Sequence, residues 1–229
     1  LFAVAFLLRI FLSPYFTHES DFAVFLNWSR RLQEGFPGFY NQWSDYLPGY
    51  LYLLWILGKI SALFPALPQL LLYKLPAIMA DIAAGAVIFL AVSRFHKKWA
   101  LLATSLYLFN PAVFANSAMW GQIDGISAFF TVLAVFWATR SPIFSSISLG
   151  LGALVKPQIG FIAPFLALLW LKKFGFRKTL GGILISASLF LLGFLPFADQ
   201  KPIFLFLLER LGVTSGQYPY TSVNAFNFW

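Results

Sequence analysis

Five residues in this sequence could do chemistry, most of them in short aromatic or proline-punctuated motifs: Asp21 in HESDF, Asp45 in SDYLPGY, Asp81 in LPAIMADIAAG, Asp124 in WGQID and Lys156 in VKPQ. Asp21 stands beside His18 and Glu19, where a carboxylate could take a proton from an incoming hydroxyl. The same acid in the first turn of a helix is also favoured by the helix dipole, without any function. Asp45 and Tyr46 lie in NQWSDYLPGYLYLLW. Such aromatics suit any bilayer interface, yet an acid among aromatic faces also suits a sugar, whose hydroxyls need acceptors and whose ring needs a flat partner. Asp124 follows Trp120 and Gln122 and opens a span, so a helix N-terminus could stabilise it; the amides of Asn110, Asn116 and Gln122 are more polar chemistry than a cap requires. Lys156 ends an apolar run of roughly a dozen residues, too short to cross a core of about 30 Å. Its ammonium is expected in a hydrated cavity, where cations usually serve function and phosphate is a natural partner; snorkelling to the interface is the rival reading. Asp81 falls inside a span and reads as a structural polar partner, loosely of Lys74 or, across helices, of Arg9.

Positioning these residues is the work of hydrophobic helices. Of 229 residues 60% are hydrophobic and only 10% charged, the composition of an integral membrane protein. The alternation of a β-barrel is missing, which leaves helices as the spans. There is no cysteine, hence no disulfide framework and no thiolate metal site. His18 and His96 are too few for a histidine-rich metal site. The net charge of +8 does not point to nucleic acid, because the bases flank apolar runs and mark topology instead.

Spans are expected at about Leu70 to Ser93, Trp99 to Ala118, Ile126 to Thr139, Ser145 to Val155 followed by Ile159 to Leu171, and Thr179 to Ala198. A truncated first span lies within Leu1 to Pro14. Basic clusters at Arg94 to Lys98, Arg140 and Lys172 to Lys178 contain no acid, so they mark the cytoplasmic loops; the loops holding WGQID and KPQ are then external. Apart from Asp81, every acid can be placed on that external side. For this parity to hold, Gly49 to Phe64 must not cross. It reads as an interfacial helix within one long external loop, residues 14–69, together with a second helix from about Ser20 to Glu34 that has Ser20 as N-cap and Asp21 in its first turn. The chain starts without methionine inside one apolar run and stops inside an aromatic stretch, and it reads as a fragment of a longer protein that lacks its C-terminal helices. Neither an internal repeat nor a low-complexity tract is evident.

In this order, DF..F..W, DY.PGYLYLLW, LPA..AD, LYLFNPAV..NSA.WGQID and GLGALVKPQ resemble the GT-C superfamily of lipid-phosphate-sugar glycosyltransferases. The bacterial and archaeal homologues of the GPI mannosyltransferases are most similar, the protein O-mannosyltransferase and aminoarabinose transferase families more distantly. The resemblance spans nearly the whole chain, 1–229, as a single module. It implies an all-α membrane bundle of about seven transmembrane helices, juxtamembrane helices in the first external loop, and inverting transfer of a hexose, expected to be mannose, from a polyprenyl-phosphate sugar. Asp21 matches the first-loop catalytic acid, Asp45 the acid ahead of the PGY turn, Asp124 the acid after the third span and Lys156 the lysine after the fifth. SGQYPYTSVNAFNFW looks like part of the external loop after the seventh span, residues 199–229. HESD stands where a paired D-x-D occurs in oligosaccharyltransferase-like members, so a divalent metal is compatible with the resemblance but not expected, and no other cofactor is called for.

The expected chemistry follows. Asp21 deprotonates the acceptor hydroxyl. Asp45, Tyr46, Trp120, Gln122 and Asp124 hold sugar or acceptor. Lys156, with Arg30 or Arg210, stabilises the departing lipid phosphate. The partners are the lipid-linked donor, a glycan, lipid or protein acceptor, and the bilayer of the cytoplasmic membrane, with the site on its extracytoplasmic face. The alternative is a transporter or flippase of a lipid-linked saccharide, using the discontinuous Ser145 to Leu171 pair as a broken-helix site; it would need polar groups reachable from both faces. A non-catalytic membrane assembly subunit is a third reading, favoured if the external acids tolerate substitution.

Overall fold

The computed structural model describes residues 1–216; the expected external loop lies partly outside them, at 217–229. Among the described residues there are eleven α-helices and no strand: α1 Phe2–Leu12, α2 Glu19–Glu34, α3 Pro48–Leu63, α4 Gln69–Val92, α5 Lys97–Leu108, α6 Pro111–Phe114, α7 Asp124–Ala138, α8 Pro142–Val155, α9 Ala163–Phe174, α10 Phe176–Phe194 and α11 Ile203–Gly216. A π-helical turn, Ala115–Trp120, continues α6, and a 3-10 turn, Pro157–Ile162, joins α8 to α9.

Three differences from the expected elements have local causes. The span expected from Trp99 to Ala118 is broken after Leu108, where Asn110 caps α6 by accepting from the Ala112 N–H at 2.9 Å and Pro111 denies a further helical hydrogen bond. His18, not Ser20, is the N-cap of α2, and the Ser20 hydroxyl turns back to the His18 ring at 3.1 Å. An α-helix, α11, occupies much of the stretch expected as a loop after the seventh span.

α4 packs between α1, α5 and α7; α7 packs on α8, and α8 on α10. Small residues permit the last contact. A side chain at Gly150 would come within 3.0 Å of the Ser186 carbonyl, and the Ser186 hydroxyl donates to the Ser146 carbonyl at 2.8 Å. Because successive long helices alternate in direction, the turns at Arg94, Lys97, Lys98, Arg140, Lys172, Lys173, Arg177 and Lys178 share one end of the bundle, where Arg94 and Arg140 both cover the Phe136 ring. Asp21, Asp45 and Asp124 gather at the other.

Both ends of α3 lie at this acidic end. It begins against α8, where a side chain at Gly49 would meet the Leu154 carbonyl at 2.7 Å, and it finishes with Ser61 bonded by Gln69, the first residue of α4, at 3.3 Å. In between, Tyr52 donates to the Gly193 carbonyl near the end of α10 at 2.8 Å. α2 runs against it: the Leu54 carbonyl accepts from Ser29 at 2.8 Å, and Ser29 accepts from Tyr73 at 2.6 Å. Trp28, Leu32, Tyr50, Leu51 and Leu54 are buried between the two, with Phe25, Tyr46 and Tyr50 in edge or tilted ring contacts at 5.1–5.8 Å. Each such ring pair adds about 0.5–1.5 kcal/mol beyond area burial.

The outside of the bundle is apolar. Gln69–Val92 and Phe176–Phe197 are long and apolar enough to cross a membrane, and only 39% and 17% of their most apolar windows are buried. Phe161, Phe165, Leu168, Leu184 and Phe204 are exposed. Deep inside, Arg9 and Asp81 are both fully buried and paired at 3.1 Å, with Ser117 donating to the same carboxylate oxygen at 2.6 Å. The cross-helix partner of Asp81 is therefore Arg9, and Lys74 is engaged elsewhere.

Candidate functional site

Asp21 sits in the first turn of α2, because the extended backbone at His18 (φ −88°, ψ 99°) starts the helix there. Its carboxylate does not cap its own helix. Oδ2 accepts from the Trp120 indole at 2.8 Å and from the Gln122 amide at 2.5 Å, and Oδ1 faces the His18 ring at 3.2 Å. Trp120 and Gln122 can both reach it because Gly121 between them is left-handed (φ +91°), a conformation that suits glycine. Gln122 uses its other end to accept from the Tyr46 hydroxyl at 3.0 Å. One hydrogen-bonded chain thus ties together the HESDF, SDYLPGY and WGQID motifs, residues up to 101 positions apart.

Asp45, just before Tyr46, is half-buried, and its Oδ1 is enclosed with no hydrogen-bond partner. Burial pushes its pKa up and the Asp21 charge adds to the effect, while its own backbone N–H, Lys156 and Arg210 oppose it. Arg210, on α11, is buried, donates to the Ser44 carbonyl at 2.6 Å and lies 4.4 Å over the Tyr40 ring.

Asp124 opens α7. Its Oδ1 is ion-paired with the Lys156 ammonium, and its Oδ2 accepts from Asn116 at 3.0 Å. Lys156 stands at the break after α8, where its backbone is extended (φ −140°, ψ 126°) because Pro157 follows. Its ammonium is 5.9 Å from the Tyr46 ring centre, which joins the VKPQ motif to the other three.

Asp21, Asp45, Tyr46, Trp120, Gln122, Asp124 and Lys156 are therefore one cluster, with Arg210 at its edge. Arg30 is not brought to it. Nine residues beyond Asp21 at 3.6 residues per turn, it lies on the opposite side of α2, exposed. Two further residues support the cluster in the structure. Asn116 holds Asp124 from the π-helical turn, and Lys74 braces the segments on which Asp21 and Trp120 sit; a charge just inside an apolar run was the only sequence sign of the latter. Among the described residues no three His, Asp or Glu side chains gather as a metal-binding group.

Several cavities lie at or beside the cluster. A cleft of about 670 Å³ between the α1–α2 linker and the π-helical turn is lined by Tyr15, His18, Glu19, Asn116 and Trp120. An apolar groove of about 560 Å³ runs between α3, α4, α7 and α8, past Tyr50, Met79, Ile126 and Leu154. A third, of about 310 Å³, is lined by Asp124, Ser127, Thr131, Lys156 and Gln158. Chemically, the arrangement offers a carboxylate with one oxygen fixed by two donors, a cation at a helix break, and exposed aromatic faces between a polar cleft and an apolar groove. Comparison of the chain with protein-family models, with curated proteins and with solved structures returns no match.

Proposed function

We propose that this chain is a membrane glycosyltransferase that moves a hexose from a polyprenyl-phosphate sugar to an acceptor hydroxyl. The observation that carries the reading is the cluster from Asp21 to Lys156, which brings together carboxylates, an ammonium and aromatic side chains from four distant motifs. Asp21 Oδ1, opposite the oxygen that Trp120 and Gln122 hold, takes the acceptor proton as the acceptor oxygen attacks the anomeric carbon. The bond from that carbon to the phosphate oxygen breaks with inversion, and its electron pair leaves on the lipid phosphate beside Lys156. Asp45, Tyr46 and Trp120 hold hydroxyls and ring faces. The apolar groove and the lightly buried outer helices suit a donor whose tail remains in lipid. Basic turns at the far end favour a cytoplasmic side there and an extracytoplasmic site.

Asp21→Asn keeps the volume and still accepts hydrogen bonds but loses the basic oxygen. In a radiolabelled transfer assay with membranes and polyprenyl-phosphate mannose, the rate should fall by about a hundredfold to ten-thousandfold while donor binding survives. Retention of more than about a tenth of the rate would lie outside that range and move the base to Asp45. Transport of lipid-linked saccharide with no transfer product would favour the flippase reading, for which the discontinuous α8–α9 pair is the motivating feature.

A further inference from the structure

Lys74 is the one fully buried lysine among the described residues, 1% exposed, and no carboxylate lies within ion-pair distance of it. Its ammonium donates instead to four backbone carbonyls: Ser13 at 2.9 Å, Ala118 at 3.0 Å, Met119 at 3.0 Å, and Phe16. An isolated buried cation is costly, so the partners must be good ones. Ser13 follows the last turn of α1, and Ala118 and Met119 belong to the π-helical turn. Carbonyls at helix C-termini lack partners within the helix and carry the negative end of the dipole. Three N–H donors among four carbonyls make a cage of the kind that also binds bare monovalent cations.

What those carbonyls belong to matters more. Ser13 and Phe16 lie in the linker that leads into α2 and Asp21. Ala118 and Met119 immediately precede Trp120, Gly121 and Gln122, the segment that supplies both donors to Asp21 Oδ2. The two segments otherwise touch through a 3.4 Å backbone bond from the His18 N–H to the Trp120 carbonyl and through the His18–Trp120 ring contact at 5.1 Å. Gly121 lies across the lysine stem, where a side chain would come within 3.2 Å of Lys74 Cε.

We propose that Lys74 is a positioning residue: its ammonium clamps the α1–α2 linker to the π-helical turn and thereby fixes the Asp21 carboxylate against Trp120 and Gln122. That the clamp serves a transfer reaction rests on the function proposed above; the clamp itself does not.

The test uses the full-length protein and two readouts. Hydrogen exchange on Lys74→Met should show faster exchange at both 15–20 and 118–122, with α8 and α10 unchanged. Transfer from polyprenyl-phosphate mannose should fall by about a hundredfold, the scale expected for a misplaced catalytic group. In an Asp21→Asn background the same change should cost less than about threefold more, since residues acting as one unit are not additive. Ethylammonium should restore part of the rate to Lys74→Ala, and tetramethylammonium, which has no N–H, should not. If Lys74→Met does not accumulate, Gly121→Ala, which crowds the stem and strains a left-handed residue, must give the same pattern in weaker form. Unchanged exchange in both segments, or a loss that adds fully to that of Asp21→Asn, overturns the clamp. Faster exchange in a protein whose wild type transfers no sugar keeps the clamp and sinks the glycosyltransferase reading instead.

Discussion

Asp45 shows what a site residue costs its fold. Burial raises its folded-state pKa above the ordinary value of about 3.9, so the folded chain holds this proton more tightly than the unfolded one. The resulting stability is complete below that ordinary value and is lost as pH climbs through the raised one, because the ionised carboxylate is better solvated in the unfolded chain. Asp45→Asn should therefore be more stable than wild type near neutral pH and should lack that part of the pH dependence. Thermal unfolding in detergent from about pH 4 to 7 checks this, and parallel curves for the two proteins would refute it. Lys156 has a different signature. It already neutralises Asp124, and a departing phosphate is charged both before and during the reaction, so Lys156→Ala should weaken donor binding and turnover together. A variant with normal donor affinity would remove Lys156 from the phosphate site.

At the scale of elements, the site depends on how closely α3 passes the end of α8. A side chain at Gly49 would meet the Leu154 carbonyl carbon and oxygen at 2.7 Å and the Val155 nitrogen at 2.8 Å, all backbone atoms that cannot swing aside. Gly49→Ala should push α3 off α8 just where Tyr46 and Lys156 approach each other. Overpacking of this kind costs about 1–3 kcal/mol. A lowered unfolding temperature together with a lowered transfer rate is the expected result, and an unchanged temperature would mean that the contact yields without cost. The interruptions in the long helices place chemistry in the same way: Pro157 holds Lys156 extended, and the cap at Asn110 begins the segment that ends in Trp120. A π-helical turn is a frequent companion of functional sites.

At the scale of the molecule, charge is sorted along the bundle: Asp21, Asp45 and Asp124 at one end, acid-free basic turns at the other, with exposed Leu and Phe on the outer surface. The absence of cysteine makes this sorting directly measurable. In intact cells a membrane-impermeant maleimide should label Gln42→Cys, in the linker between α2 and α3, and should label Lys172→Cys, at the end of α9, only after permeabilisation. Labelling of both in intact cells would reverse or dissolve the proposed orientation.

Composition and hydrophobic run length by themselves determined an all-helical chain with long apolar helices, because twenty-residue apolar stretches leave few alternatives. The bounds of α3 and α4 were legible for the same reason, those of α2 from its one-sided apolar face, and the motif acids because an acid among apolar residues is conspicuous. Sequence could name Lys74 and Arg9 as the candidate partners of Asp81, because a buried charge must find an opposite one; the structure decided for Arg9. What it could not supply was distance. That Gln122 reaches both Asp21 and Tyr46 depends on one left-handed glycine, and that Asn116 steadies Asp124 depends on a π-helical turn. Arg30 sits on the wrong side of its helix by half a turn. The role of Lys74 was invisible because its partners are backbone carbonyls, which every residue carries and no sequence distinguishes; only the tertiary fold decides which four of them converge.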